Sequence, residues 1–299
     1  MNINEDSTFR ELFLSLTEAN AASDNTNLLR MHRLIHYAPE FWNKPWKDIK
    51  KADMIAWRSK MEKTELSTTT KNYIIAHVKQ VSKHAYTYYD LPDVAKYLIP
   101  FRAKLDEYHE MQIITYENFR RMISNETNQE IKDFLIFLFT TGMRRGEARA
   151  LYPSDYDSEK KAVHIFKSMR RYESSLKTTK TGTDRWVMLD DATDALLQPY
   201  IKRNAKYIFG AKEGEKPLGL STVASHFSKD AEKAGLPHYK IHALRHSNVS
   251  LLWNAGVPVP EISKRVGHRS PMITMEIYAH IMDIQQHASV NALNELVKK

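Results

Sequence analysis

The sequence contains no cysteine, which removes disulfides, thiolate metal sites and a thiol nucleophile together and fits a reducing, cytoplasmic setting. Glycine and proline are scarce, 9 and 11 among 299 residues, and there is no internal repeat or low-complexity tract. No apolar run approaches about 18 residues, so no membrane-spanning helix is expected. The opening residues, MNINEDSTFRELF, have no basic stretch followed by an apolar one, so no secretory leader is expected either. A glycine-rich Walker loop is missing, as is a cluster of Asp and Glu at the spacing of a two-metal nuclease. What remains, 42% hydrophobic and 27% charged, is a globular composition long enough for two domains.

The formal net charge is +8, which suits a polyanionic partner without establishing one. It is unevenly spread. Residues 1–110 carry 16 basic and 15 acidic side chains, whereas residues 111–299 carry 28 and 21. The second part therefore holds nearly all of the positive excess.

The N-terminal third has helical periodicity, over about Phe9–Ala19, Asn27–His36, Ala52–Lys63 and a long segment that Ser67 could cap, running to Tyr89. Pro39 and Pro45 separate the second and third. Lys71, Lys79 and Lys83 fall on or near a polar stripe of the long helix, as a phosphate-facing row or a solvated face. Residues 91–112, broken by Leu91-Pro92 and Ile99-Pro100, predict an extended charged connector. Thr115 then signals a helix start. Residues 131–141 (IKDFLIFLFTT) predict a buried helix ending at Gly142. Val163–Phe166, Tyr172–Leu176 and Arg185–Leu189 predict three short strands. Helical patterns return at about 191–206, 221–234, 241–255 and 259–267.

Four segments of the second part stand out: TGMRRGE (141–147), KTTKTGTDRWVML (177–189), HALRH (242–246) and VGHRSPMITMEIYAH (266–280). Their order and content resemble the catalytic domain of the tyrosine recombinase, or phage integrase, family. That family places an Arg after a Thr-Gly-hydrophobic step, a Lys in a β-hairpin, a His-x-x-Arg pair on a later helix, a Gly-His, and a Tyr-x-His bearing the nucleophile. The resemblance covers about residues 112–285 and implies Arg144, Lys180, His242, Arg245, His268 and Tyr278 as the catalytic set.

Each assignment answers a chemical need. A phosphodiester under attack gathers negative charge on its non-bridging oxygens, and permanently charged, planar guanidiniums at Arg144 and Arg245 suit that charge. The alternative for Arg144 is a surface residue beside Arg145 and Arg149. The resemblance makes Tyr278 the nucleophile, giving a 3′-phosphotyrosine and a free 5′-hydroxyl. A phenol with a pKa of about 10 needs a base or a cationic pocket at neutral pH. Lys180, five positions before Arg185, would protonate the leaving oxygen, with Lys177 as competitor. His242 would orient the phosphate or exchange a proton with Tyr278, and His268 would donate a second hydrogen bond. Glu147 would hold the cations in place or pair as an exposed helix charge. His242 and His246 also have the spacing of a zinc pair, but Ala243 stands where a zincin needs Glu. A phosphotyrosine conserves the broken bond's energy, so no cofactor and no metal are expected.

The expected architecture is mainly α, with a helical core-DNA-binding domain at 1–105, a linker at 106–111 and a helical catalytic domain at 112–299 containing a small three-stranded antiparallel sheet. The resemblance implies double-stranded DNA attachment sites as substrate, a homo-tetramer on DNA, and accessory DNA-bending or directionality proteins as further partners; no membrane partner is expected. Leu293, Leu296 and Val297 lie at helical spacing, for docking on a neighbouring protomer or on the same domain. The expected function is an integrase of a mobile element. A Xer-type resolvase, an inactive DNA-binding protein and a topoisomerase sharing the site are the alternatives. Many integrases carry an extra N-terminal arm-site domain, which this chain is expected to lack.

Overall fold

The computed structural model describes residues 2–20, 24–102, 111–169, 176–178, 184–203, 205–268, 270–272, 274 and 275. The chain divides into two compact units, Met1–His109 and Glu110–Lys299, each with its own hydrophobic core.

The first unit is helical: α1 (Phe9–Glu18), α2 (Asp24–Tyr37), α3 (Pro39–Trp42), α4 (Lys51–Glu62) and α5 (Thr68–Tyr89). Thr8 and Glu11 close a reciprocal cap on α1, and the Ser67 hydroxyl accepts from Thr70 N at the start of α5. Trp46 and Trp57 fill the core and keep their indole N–H groups satisfied, on the carbonyls of Pro92 and Tyr37. The expectation of an extended connector from residue 91 is corrected here. Leu91, Val94, Ala95 and Leu98 are buried in the core of this unit, and the Asn72 amide holds Phe101 through both its N–H and its carbonyl. The prolines in this stretch remove periodicity while leaving its apolar side chains free to pack.

The second unit begins with α6 (Tyr116–Ile123) and α7 (Gln129–Thr141). Helix α7 buries Ile131, Phe134, Leu135, Phe137, Leu138 and Phe139, and so runs through the middle of the unit. A short helix α8 (Arg145–Ala148) precedes β1 (Tyr156–Asp157), β2 (Ala162–Ile165), β3 (Lys167–Met169), β4 (Leu176–Thr178) and β5 (Arg185–Met188). There follow α9 (Asp191–Lys202), the small ladder of β6 (Gly210–Ala211) and β7 (Lys216–Pro217), α10 (Leu220–Lys233), α11 (His242–Asn254) and α12 (Val259–Val266).

The unit is thus mainly helical with a small antiparallel three-stranded sheet, in the order β1–β2–β5. Val163 faces Val187 and Ile165 faces Arg185 across β2 and β5. Its third strand is the two-residue β1, too short to show alternation in the sequence. The 176–178 segment pairs instead with β3 in a separate ladder, and residues 170–175, which hold most of the expected middle strand, lie outside the described residues. No helix among the described residues is long and apolar enough to cross a membrane.

One buried polar cluster joins the α6–α7 turn to α10. Glu126 accepts from His226 Nδ1 at 3.0 Å and from Asn128 N at 2.7 Å. Asp230 is buried beside it, and its Oδ2 finds no donor among the described residues. Burial first, and then the neighbouring Glu126, push the Asp230 carboxyl up to about 6. A raised carboxyl pKa favours the folded state below the unfolded value near 3.8 and costs stability as pH rises through about 6. Asp230→Asn, which donates without titrating, should therefore stabilise the protein at pH 7.5 by about 1–2 kcal/mol. Urea denaturation should show that gain shrinking toward pH 4; a loss of stability at pH 7.5 would contradict it.

Candidate active site

The site is built where the C-termini of α7 and α12 meet the start of α11. Helix α7 ends at Gly142, whose φ of 64° is the left-handed conformation glycine adopts without strain. A side chain there would also be blocked, since a Cβ would stand 2.5 Å from Asn248 Oδ1. Asn248, on α11, donates to the carbonyls of Phe139 and Thr140 and so fixes this end of α7. Two residues later Arg144 takes the N-cap position of α8. Glu147, in the first turn, reaches back to it: its Oε2 accepts from Arg144 N at 3.0 Å and its Oε1 from Arg144 Nη1 at 2.9 Å. Arg144 Nη2 donates to Gly267 O at 2.6 Å.

Glu147 is only 1% exposed and serves a second cation. Arg185, at the start of β5, donates from Nη2 to Glu147 Oε2 at 2.7 Å and from Nε to Arg265 O at 2.8 Å. Burial alone would raise the Glu147 carboxyl, but hydrogen bonding and charge from Arg185, reinforced by Arg144, outweigh it and hold the group below the usual carboxylate range. Gly267, with φ of 71°, closes over Arg185; a Cβ would lie 2.7 Å from its Cζ.

Arg245 lies in the first turn of α11 and is 2% exposed. Its Nη1 donates to Gly142 O at 2.8 Å and to Val266 O at 2.6 Å, while Nη2 is buried without a partner among the described residues. Burial, and next the charge of Arg144, pull its pKa down to about 9. A guanidinium so enclosed, with one nitrogen unsatisfied and a second cation beside it, is stabilised by an incoming anion.

His242 precedes Arg245 by one helical turn, and its ring meets that of His246 edge-on with centroids 4.7 Å apart. Enclosure by protein, then the charges of His246, Arg245 and Arg144, lower it to about 4. The residue is exposed, so solvent moderates both contributions without reversing their direction. His268 follows Gly267, and its Nδ1 pairs with Thr274 Oγ1 at 2.7 Å. Burial, and then Arg245 and Arg144, lower it to about 3. Both rings are therefore neutral near pH 7, each able to accept at one nitrogen and donate at the other.

Four of the six expected residues, Arg144, His242, Arg245 and His268, thus converge on one cationic pocket held by the carbonyls of Gly142, Val266 and Gly267. Lys180 and Tyr278 lie outside the described residues, as do Leu293, Leu296 and Val297. Lys177 falls within β4, opposite Ser168. No group of three or more His, Asp or Glu among the described residues is arranged to hold a metal. Sequence reasoning used Arg185 only to gauge the position of the lysine; nothing in its spacing reveals an ion pair with a glutamate 38 residues away. Asn248 and Thr274 carried no signal at all.

Removing the charge of Glu147 leaves two arginines without their shared counter-ion, so Glu147→Gln should cost about 3 kcal/mol at pH 7.5. A depressed carboxyl pKa gives stability above the unfolded value near 4.5, lost as pH falls through the folded value. Denaturation curves of the two proteins should accordingly converge in acid, and equal stability at pH 7.5 would refute the shared counter-ion.

The family model "Phage integrase family" matches residues 112–284. A tyrosine recombinase XerC-like protein of Caldanaerobacter subterraneus subsp. tengcongensis is 26% identical over 214 residues, covering 62% of this chain and 55% of that protein. The integrase of Staphylococcus phage L54a is 25% identical over 260 residues, covering 75% of this chain and 73% of its own. The chain spans only 54% of a third relative, the ICEBs1 integrase of Bacillus subtilis, at 26% identity. Among solved structures, a Tn1549 transposon integrase in complex with a circular intermediate DNA superposes with a TM-score of 0.78 at 19% identity, covering 96% of this chain and 99% of that one. A lambda integrase dimer bound to a core site gives 0.71 at 14%, covering 90% and 93%. At such identities these likenesses speak for the fold. The match over more than half of the sequence carries the conclusion: the chain belongs to the phage integrase family.

Proposed function

We propose that this protein is a site-specific DNA recombinase, an integrase that cuts and rejoins strands through Tyr278. The observation that carries the reading is the buried Arg245, with Nη2 unpartnered among the described residues and Arg144 beside it. Such a pocket is prepared for the non-bridging oxygens of a phosphodiester, where charge grows during in-line attack. Tyr278 Oη forms a bond to phosphorus, the bond to the 5′-oxygen breaks, and a 3′-phosphotyrosine results. Lys180, or Lys177 in its place, gives the departing 5′-oxygen its proton. His242, neutral at working pH, takes the tyrosine proton or orients the phosphate, and His268 donates to a phosphate oxygen. Attack by another 5′-hydroxyl reverses these steps and rejoins the strand without an external energy source.

In this reading residues 112–299 catalyse, residues 1–105 grip the core site, and 106–111 link them. The substrate is a pair of double-stranded attachment sites and the working assembly a homo-tetramer, assisted by DNA-bending or directionality proteins. The relatives named for phage L54a and ICEBs1 favour integration or excision of a mobile element; the XerC-like relative keeps chromosome or plasmid resolution as the second reading.

The test is covalent trapping on nicked duplex fragments from the source genome, followed by denaturation and sequencing of the protein-linked DNA. Wild type should form an adduct and Tyr278→Phe none, while Arg245→Ala should cleave on the order of 100- to 1,000-fold more slowly. Tight DNA binding without any adduct would favour an inactive binding protein. Adducts that persist in Tyr278→Phe would mean another nucleophile, and relaxation of supercoils without exchanged products would indicate a topoisomerase.

A further inference from the structure

The segment that carries Lys180 is flanked by two described pieces, β4 before it and Arg185 after it, and both lead back to the same short helix. On the first flank, β4 pairs with β3, with Met169 opposite Leu176 and Ser168 opposite Lys177. Strand β3 lies directly on α8 at Gly146, where an added Cβ would stand 2.6 Å from Met169 O and 2.8 Å from Ser168 Oγ. The root of β3 is itself fixed: Lys167 is buried, paired with Asp155 at 2.7 Å and set over the Tyr152 ring at 3.5 Å. On the second flank, Arg185 is bound to Glu147, the next residue of α8.

We propose that Gly146 and Arg185 are positioning residues: they fix β4 and β5, the two strands that flank the lysine-bearing segment, to the helix that presents Arg144. Consecutive residues of α8 thereby hold both strands that lead into residues 179–183, so that in the proposed reaction a shift of either strand would move the proton donor relative to the phosphate that Arg144 holds. The approach at Gly146 is to backbone, which no side-chain rotation relieves, so alanine there must displace β3 and the strand paired with it. Alanine is otherwise the better helix former, so the substitution separates a positional defect from a helix that fails to form. This inference rests on the proposed role of Lys180 or Lys177 as proton donor.

The experiment compares single-turnover cleavage of nicked duplexes bearing either oxygen or sulfur at the scissile 5′-bridging position. A thiolate, with a pKa near 8.5 for its thiol, departs without a proton, whereas an alkoxide needs one. Gly146→Ala and Arg185→Gln should each slow cleavage of the oxygen substrate by roughly 10- to 100-fold while cutting the sulfur substrate within about threefold of wild type. Lys180→Ala and Lys177→Ala run alongside, and Arg245→Ala is the control expected to fail on both substrates. Should Arg185→Gln not fold, as judged by circular dichroism, Gly146→Ala carries the test. Equal losses on both substrates, or no loss on either, would overturn the tethers; a sulfur-rescued lysine variant in the same experiment would leave the donor role standing. Rescue of the two tether variants with no rescue of either lysine would mean that the proton comes from another group, and would overturn the inference.

Discussion

The second unit depends on one buried carboxylate. Glu147 accepts from the main chain and guanidinium of Arg144 and from the guanidinium of Arg185, so a single anion fixes the cap of α8 and the start of β5. Two cations at such burial would repel each other and lose hydration without it. Their charge is retained because the counter-ion sits behind them, leaving the outer side of Arg144 partly open.

Helix ends supply the remaining anchors. The carbonyls of Gly142, Val266 and Gly267 lie at the C-termini of α7 and α12, where orphan acceptors and the negative end of the helix dipole favour guanidiniums. Arg245 takes two of these carbonyls and Arg144 the third. Glycine closes both helices in the left-handed conformation, which lets the chain turn sharply enough for Arg144 and His268 to follow at once. Hydrogen bonding thus uses Nη1 of Arg245 and leaves Nη2 without a partner among the described residues. A pocket of this kind is costly to fold, a cost that the proposed reaction would account for, since there it would stabilise charge in the transition state.

Much of this was legible in the sequence because it is local. The buried helix ending at Gly142 follows from an apolar run closed by a glycine, and the pairing of His242 with Arg245 on one helix face follows from their spacing. The motif order brought Arg144, His242, Arg245 and His268 forward as a set. What stayed hidden is non-local or too short to have a period. Strand β1 has two residues, residues 91–98 pack without periodicity, and the bond between Glu147 and Arg185 spans 38 residues. Glu147 itself was noticed, but its burial and its second partner depend on how β5 packs beside α12, which no spacing encodes.

In the proposed reaction the cationic pocket is assembled before DNA arrives. Guanidinium nitrogen spectra of the DNA-free protein, labelled at arginine and assigned with Arg144→Lys, Arg185→Lys and Arg245→Lys, test it most directly. Resolved, slowly exchanging Nη–H signals for Arg185 and Arg245 are expected, because each is held by carbonyl or carboxylate acceptors. Signals that stay within the averaged envelope of surface arginines until DNA is added would mean that the substrate, and not Glu147 and the helix ends, builds the site.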